Sequence, residues 1–313
     1  MNIRKIMLFL LFAFGISWIS AGIVYLAGFP YGSTLSLAVT ATLYMMAPAL
    51  AAIIVQKSIY RLPLKELGLD FKKTKWKNML WIALVQLLLC VFSIGFIILF
   101  GNALHMEAFG FYSFDPEMLN QRFREISEAQ GLSATPNIPI PPMALLIITI
   151  GSSILFGGFI NGIFTFGEEL GWRGFLYNET KKLGFWKSNL LIGTIWGLWH
   201  APLILQGHNY PEHPVAGVFM MVPFCISLAF LLSWTRLKTN SVLAPALLHG
   251  MVNAGAGGIM LFAYGYNDLI GNIAGAAGVL GALLTLLVIL IFDKKTITEM
   301  NKKDEIEEEG PAI

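Results

Sequence analysis

Long apolar runs separated by short polar segments dominate the chain. Runs of roughly 18 residues or more are long enough to cross a bilayer as a helix. They predict eight membrane-spanning helices, at about 6–28, 34–55, 79–100, 143–166, 189–206, 216–234, 241–263 and 273–292. The first run follows basic residues as a signal peptide does, but its length and the lack of a clean cleavage site favour a retained anchor. The predicted fold is all-α, a polytopic bundle of about eight transmembrane helices.

The connections between the predicted helices differ in charge. All but Arg122 and Arg124 of the 21 Lys and Arg residues fall in alternate connections, namely the N-terminus, 56–78, 167–188, 235–240 and the tail from 293. Positive charge accumulates on the cytoplasmic side of a membrane. These segments, and with them the N-terminus and the C-terminus, are therefore predicted to be cytoplasmic, which requires an even number of spans.

Composition agrees with a multi-pass protein of the cell membrane. The chain is 56% hydrophobic and 13% charged, about half the charged fraction of an average soluble domain. Its net charge of +2 gives no reason to expect nucleic acid as a partner, whereas the lipid bilayer is implied. Cys90 and Cys225 lie in apolar runs, form no disulfide framework or redox motif, and are interpreted as packing residues.

The polar segments divide the chain into three regions. Residues 1–142 hold three spans, the basic cytoplasmic loop 56–78 and an external loop, 101–142; residues 143–256 form a central region; residues 257–313 hold the last span and a tail predicted to be disordered. Within the external loop, Asp115 and Pro116 are placed as cap and first residue of a short helix, and Gly131 as its stop.

Few ionisable side chains lie in or at the edge of the predicted spans: Glu168, Glu169, Arg173, His200 and His249. Such groups are costly in a membrane and are functional candidates by default. Glu169 and Arg173 are four residues apart with the acid first, the favourable order for an ion pair, which leaves Glu168 free to face something else. His249 and Asn253 are also four apart and project together. The five residues predict one shared site.

The positions of the two histidines in their spans predict the depth of this site. His200 lies about eleven residues, and His249 about eight, from the cytoplasmic start of its predicted span. At 1.5 Å per residue, both lie roughly 12–16 Å below the cytoplasmic surface. The sequence therefore predicts a water-filled cavity that opens to the cytoplasmic side.

One free carboxylate and two imidazoles can activate water for attack on a carbonyl, most simply a peptide bond. Glu168 can act as general base, or Glu168, His200 and His249 can hold a divalent metal such as zinc. Asn253 can donate to an oxyanion; it is also the only obvious side chain to orient His249, so using it for the oxyanion favours direct activation of water without a metal. The GxSxG and HExxH motifs of other hydrolases are absent.

Three motifs carry a resemblance to a known family. Glu168 to Arg173 matches EExxxR, Trp196 to His200 corresponds to a second motif that is usually FxxxH, and His249 to Asn253 matches HxxxN. Over roughly 143–256, the chain resembles the CAAX-protease and bacteriocin-processing family of intramembrane proteases, often named the Abi family. Trp196 in place of the usual Phe is interpreted as a change of pocket shape more than of chemistry.

The resemblance implies an intramembrane endopeptidase of the metallo or glutamate type. In it, Glu168 and His200 would activate water, His249 and Asn253 would stabilise the oxyanion, and Arg173 would hold Glu169 and the local helix. The implied substrate is a membrane-associated protein or peptide rather than a prenylated CAAX tail. One alternative is a non-catalytic bacteriocin immunity or scaffold protein; the intact motifs disfavour it. Another is a transporter; it is disfavoured because no polar residues were found to continue towards the outside. The sequence does not indicate an oligomeric state.

Overall fold

The computed structural model describes residues 1–129 and 139–309. Within them, six helices are long and apolar enough to cross a membrane, which confirms the all-α polytopic fold. One of these stretches, Pro142–Trp199, is 58 residues long and takes in one predicted span and the start of the next. Another predicted span forms the helix Leu243–Met260, which contains polar His249 and Asn253. Eight crossings stay a prediction.

The helices are numbered here in chain order. They are α1 (Ile3–Leu26), α2 (Thr34–Ile59), α3 (Trp76–Ala103), α4 (Pro116–Ala129), α5 (142–180), α6 (Gly184–Trp199), α7 (Pro214–Thr239), α8 (Leu243–Met260) and α9 (Ala276–Glu309). π-Helical turns occur at Thr40–Tyr44, Ile54–Ile59, Ile98–Ala103, Ser153–Gly157 and Leu170–Leu176. Short helical turns form at Leu64–Leu67, Glu107–Phe109, Lys181–Leu183 and Ala201–Ile204. Strands β1 (Phe111–Tyr112) and β2 (Ala263–Tyr264) pair antiparallel.

The short helix α4, predicted within the external loop, begins where the sequence predicts. Pro116 is its first residue, and the Asp115 carboxylate accepts a hydrogen bond from the Glu117 amide at 2.9 Å. Gly131, the predicted stop, lies outside the described residues. At the other terminus, α9 breaks at Asp293 and continues as a helix to Glu309; the disorder of the tail stays a prediction. Residues 310–313 lie outside the description.

The segments predicted to be cytoplasmic meet at one end of the bundle, which we call the basic end. The contacts there are Lys5 with Glu179, the Asn178 amide with the Glu66 carbonyl, the Lys75 amide with the Thr239 carbonyl (2.8 Å), and Lys238 with Asp293 (2.9 Å). Each of the five basic segments takes part, so they share one side of the bundle as the charge pattern predicts.

The remaining connections meet at the opposite end, which we call the far end. Its contacts are the β1–β2 pair, Tyr31 with His208 (2.6 Å), the Asn272 amide with the Asn209 carbonyl (3.0 Å), and the Glu212 amide with Asp268 (2.9 Å). The far end therefore consists of the segments around Tyr31, 101–116, 205–213 and 261–275.

Close packing of α5 against α8 brings the predicted site residues together. A Cβ atom on Gly250 would lie 2.7 Å from the Gly162 amide nitrogen and 3.0 Å from the Gly158 carbonyl oxygen. The Thr165 hydroxyl donates to the Ala246 carbonyl across the same contact, at 2.8 Å. Small residues allow helices in a membrane to approach this closely.

Replacing Gly250 by Ala is expected to lower the free energy of unfolding by about 1–3 kcal/mol, because the added methyl group forces two backbones apart. The matched control is Gly257→Ala on the same helix, where a Cβ atom would meet nothing within 4 Å. Thermal unfolding of the two variants in one detergent checks this. Equal midpoints would contradict the close contact.

Candidate active site

Glu169 forms the centre of a buried polar group behind the site. Its Oε1 accepts from Arg173 Nη1 at 3.0 Å, with both side chains fully buried, so the predicted ion pair is confirmed. The same oxygen lies 2.9 Å from His249 Nδ1. The prediction that only Asn253 could orient His249 is therefore wrong. Spacing within one helix reveals neighbours on that helix, whereas Glu169 and His249 lie on α5 and α8.

Glu168 points away from this pair, as its position on the helix predicts. It lies against a cavity, and its Oε2 accepts a hydrogen bond from Trp196 Nε1 at 2.8 Å. The interpretation of Trp196 as only a wall of the pocket is therefore incomplete, since a Phe at this position could not donate to the carboxylate.

Trp196 also contacts the other charged and polar groups of the site. The Arg173 guanidinium carbon lies 4.2 Å from its ring centroid, a cation–π distance. Its ring centroid is 5.7 Å from that of His200 and 5.2 Å from that of His249. One indole thus fixes the carboxylate and both imidazoles relative to one another.

Replacing Trp196 by Phe is expected to lower kcat about tenfold or more, with KM little changed. A hydrogen bond to a charged group contributes about 1.5–3 kcal/mol, and each 1.4 kcal/mol is about tenfold in rate. Steady-state kinetics on a peptide substrate checks the split. The control is Trp234→Phe, because Trp234 is equally buried but donates to Asp293 at the basic end. Equal kcat values for the two variants would show that the bond to Glu168 does not matter.

The two histidines have their Nδ1 atoms engaged. His200 Nδ1 lies 2.8 Å from the Trp196 carbonyl oxygen. A carbonyl only accepts, so Nδ1 carries the proton and Nε2 is left as an acceptor. Glu169 acts on His249 Nδ1 in the same way. Both imidazoles are held through one nitrogen, and the Nε2 atom of each is left for water or substrate.

His200 stands at a break in the helix. α6 ends at Trp199 and a new turn begins at Ala201; Pro202, which lacks an amide N–H, is the cause. The Trp199 carbonyl is left without a partner in its own helix and accepts from Trp18 Nε1 at 3.0 Å and from the Tyr44 hydroxyl. Helices α1 and α2 therefore stabilise the break that presents His200.

Most of the predicted residues line one cavity of about 530 Å³: Glu168, Trp196, His200, His249 and Asn253. Glu169 and Arg173 lie behind its wall. Tyr44 and Cys225 also line it, and both were missed. Cys225 Sγ lies 4.0 Å from His200 Nδ1; it stands on α7, which carries none of the three motifs, so the sequence gave no signal for it. Tyr44 could have been recognised as a site residue, because its hydroxyl group lies within a predicted apolar span.

The predicted metal ligands do not fit one ion as they are placed. Among the described residues, the only group of three possible ligands within 4.8 Å of one another is Glu212, His213 and Asp268 at the far end. The donor atoms of Glu168, His200 and His249 form no such group, whereas a shared zinc needs each donor at about 2.0–2.2 Å. Each histidine has a hydrogen-bond partner at Nδ1, and metal-bound histidines usually have such a partner on the ring nitrogen that does not bind the metal.

The cavity lies towards the far end of the bundle. Tyr31, His208, Asn209, Ile273 and Ala274 line it, and no lining residue comes from 56–78, 177–188 or 235–242. α6 is 16 residues long, which puts His200 roughly 24 Å from the start of that helix at the basic end. His200 therefore lies further along its helix than the eleven residues predicted, whereas His249 lies six residues into α8; the depth of the site in a membrane stays a prediction. The cytoplasmic location of the basic end and the opening of the cavity to the cytoplasm both stay predictions.

Comparison with known proteins identifies the central region. Residues 144–255 match the family model of the type II CAAX prenyl endopeptidases, Rce1-like. CAAX prenyl protease 2 of Methanococcus maripaludis is 27% identical over 149 residues, which cover 39% of this chain and 55% of that protein. The chain thus spans about half the length of this curated relative. The match coincides with the three motifs and confirms the resemblance seen in the sequence.

Proposed function

We propose that this chain, a multi-pass membrane protein whose residues 144–255 belong to the Rce1-like CAAX prenyl endopeptidase family, is an endopeptidase that hydrolyses peptide bonds within the membrane. One observation carries the proposal. The two adjacent glutamates have separate partners: Glu169 is neutralised by Arg173 behind the wall, while Glu168 faces a cavity beside two imidazoles with free Nε2 atoms.

In the proposed reaction, Glu168 is the general base for a water molecule. The carboxylate takes a proton from water while the water oxygen attacks the carbonyl carbon of the substrate. The free Nε2 of His200 accepts the second hydrogen bond of that water and orients it. Glu168 then delivers the proton to the amine nitrogen as the C–N bond breaks, which returns the carboxylate to its starting form.

The negative charge that develops on the carbonyl oxygen needs donors. The Asn253 side-chain amide supplies one. The His249 imidazole, which Glu169 holds at Nδ1, supplies the second from Nε2 in its doubly protonated form. Glu169 and Arg173 then act through His249 and do not touch the substrate.

The lining of the cavity bears on the substrate. Among the described residues that form it there is no Lys or Arg, so a free C-terminal carboxylate has no permanently charged partner there. An internal peptide bond of a membrane-associated protein or peptide suits it better. The relative from Methanococcus maripaludis is named a CAAX prenyl protease; a prenylated tail is not the substrate proposed for this chain, and the cell membrane is its proposed location.

Different observations bear on the two alternatives, the transporter and the non-catalytic immunity or scaffold protein. Polar residues do continue to the far end, at Tyr31, His208 and Asn209. The absence of such residues, which disfavoured a transporter, is therefore not observed. None of the described lining residues reaches the basic end, however, so the cavity gives no path through the bundle. A binding-only protein has no need of a carboxylate held by an indole N–H inside a cavity.

Comparative membrane proteomics of cells carrying wild type or Glu168→Gln tests the proposal. Uncut precursors are expected to accumulate in the variant, and their cleavage fragments to disappear. Identical peptide profiles, together with full cellular function of the variant, would overturn the proposal and support the immunity or scaffold alternative.

A further inference from the structure

We propose that the active-site cavity is reached from the extracytoplasmic side, and that the substrate is a membrane peptide or protein whose scissile bond lies in the outer half of the bilayer. This inference rests on the proposed proteolytic function for its substrate. The side from which the cavity is reached rests on the charge of the connecting segments and on the lining of the cavity, not on the proposed function.

The first observation is the charge at the two ends. The Lys and Arg residues of the connecting segments belong to the basic end, apart from Arg122 and Arg124. Arg122 donates to the Ala263 carbonyl at 3.0 Å, next to β2, so it belongs to the far end. Since such an imbalance sets the orientation of a multi-pass protein, the basic end is cytoplasmic and the far end extracytoplasmic.

The second observation is which segments of the chain line the cavity. Its lining includes residues from three far-end connections, those around Tyr31, His208 and Ile273. On α2 the lining residues belong to the half of the helix nearer its far-end start at Thr34; they are Leu37, Thr40, Ala41, Tyr44 and Met45. The cavity that holds the catalytic groups therefore extends towards the far end.

The third observation is the chemistry of the far-end part of the cavity lining. Tyr31 and His208 are hydrogen-bonded at 2.6 Å. Burial raises the pKa of Tyr31 to about 12 and lowers the pKa of His208 to about 4, so both are neutral near pH 7. Asn209, Asn161 and Asn253 supply amides along the same lining. Neutral donors and acceptors suit the backbone of an unwound peptide, which must have its polar groups satisfied in a membrane.

Cysteine labelling in wall-stripped intact cells tests the side of access. Single cysteines are placed at Glu212 (far end), Ala41 (cavity) and Lys65 (basic end) in a Cys90→Ala, Cys225→Ala background. Glu212 and Lys65 are exposed and Ala41 is half-buried. A membrane-impermeant maleimide is expected to label Glu212→Cys and Ala41→Cys from outside, and Lys65→Cys only after permeabilisation. Preincubation with a bulky impermeant thiol reagent should abolish later labelling at the first two positions.

The opposite pattern would overturn the inference, as would labelling of Ala41→Cys only after permeabilisation. The labelling is repeated with Glu168→Gln added, because it requires no catalysis. If the pattern holds but no substrate is cut, the proposed function fails and the assigned side of access stands. If cleavage is found but the pattern is reversed, only the inference fails.

Discussion

Replacing Glu168 by Gln is expected to lower kcat by about 10²–10⁴-fold, the usual contribution of a general base, while the protein stays folded and inserted. Gln has nearly the same shape, and its amide oxygen can still accept from Trp196 Nε1, so the hydrogen bond that holds this side chain at 2.8 Å is kept. What is lost is the ability to take a proton from water. Purified wild type and variant are compared on a substrate found by proteomics.

Glu128→Gln serves as the control for this experiment, because it makes the same chemical change at an exposed position on α4. Its cleavage rate should equal that of the wild type. Thermal midpoints of all three proteins should agree within a few degrees. Near-normal cleavage by the Glu168 variant would exclude this carboxylate as the base and direct attention to His200.

The second large effect concerns stability. Arg173→Met is expected to lower the free energy of unfolding by about 3–5 kcal/mol, because removing one partner of a buried ion pair leaves the other charge uncompensated. Glu169 would then keep only its contact with His249 Nδ1 in a site with no solvent exposure. Denaturation in mixed micelles measures the loss.

The double variant Glu169→Gln, Arg173→Met separates charge from packing. It removes both charges, and buried pairs replaced together by neutral groups are often tolerated. Most of the lost stability should return, while the cleavage rate should stay low because His249 loses its carboxylate partner. A single Arg173→Met variant that loses less than about 1 kcal/mol, the range of a surface pair, would contradict the structural role given to this ion pair.

The sequence was a good guide to geometry within a helix and a poor one between helices. The Glu169–Arg173 pair and the Asp115 cap follow from spacing along one segment, and both are confirmed. The contacts of His249 with Glu169 and of Trp196 with Glu168 join different helices. No pattern along one chain encodes such a meeting, because it depends on how α5, α6 and α8 pack.

The sequence also predicts helix boundaries poorly. The predicted depth of the site was counted from these boundaries. The predicted span begins at 189, directly after the polar residues Lys187 and Ser188, and it includes Asn189. In the structure the Ser188 hydroxyl bonds Thr180 at 2.7 Å, and the Asn189 amide donates to the Phe185 carbonyl at 2.8 Å. These polar groups are satisfied inside the bundle and the helix begins at Gly184. A hydropathy pattern counts them as polar and cannot see their partners.

The hydrogen bonds to the Trp199 carbonyl determine how much of the chain is needed to build the site. Trp18 and Tyr44, which make them, lie outside the stretch 144–255 that matches the family. A Cβ atom on Gly171 would likewise lie 2.4 Å from Pro48 of α2. The unit of sequence similarity is therefore smaller than the unit of folding. A chimera that grafts 144–255 onto unrelated leading helices would carry every motif and still misplace His200, unless it also imports an indole and a phenol for that carbonyl.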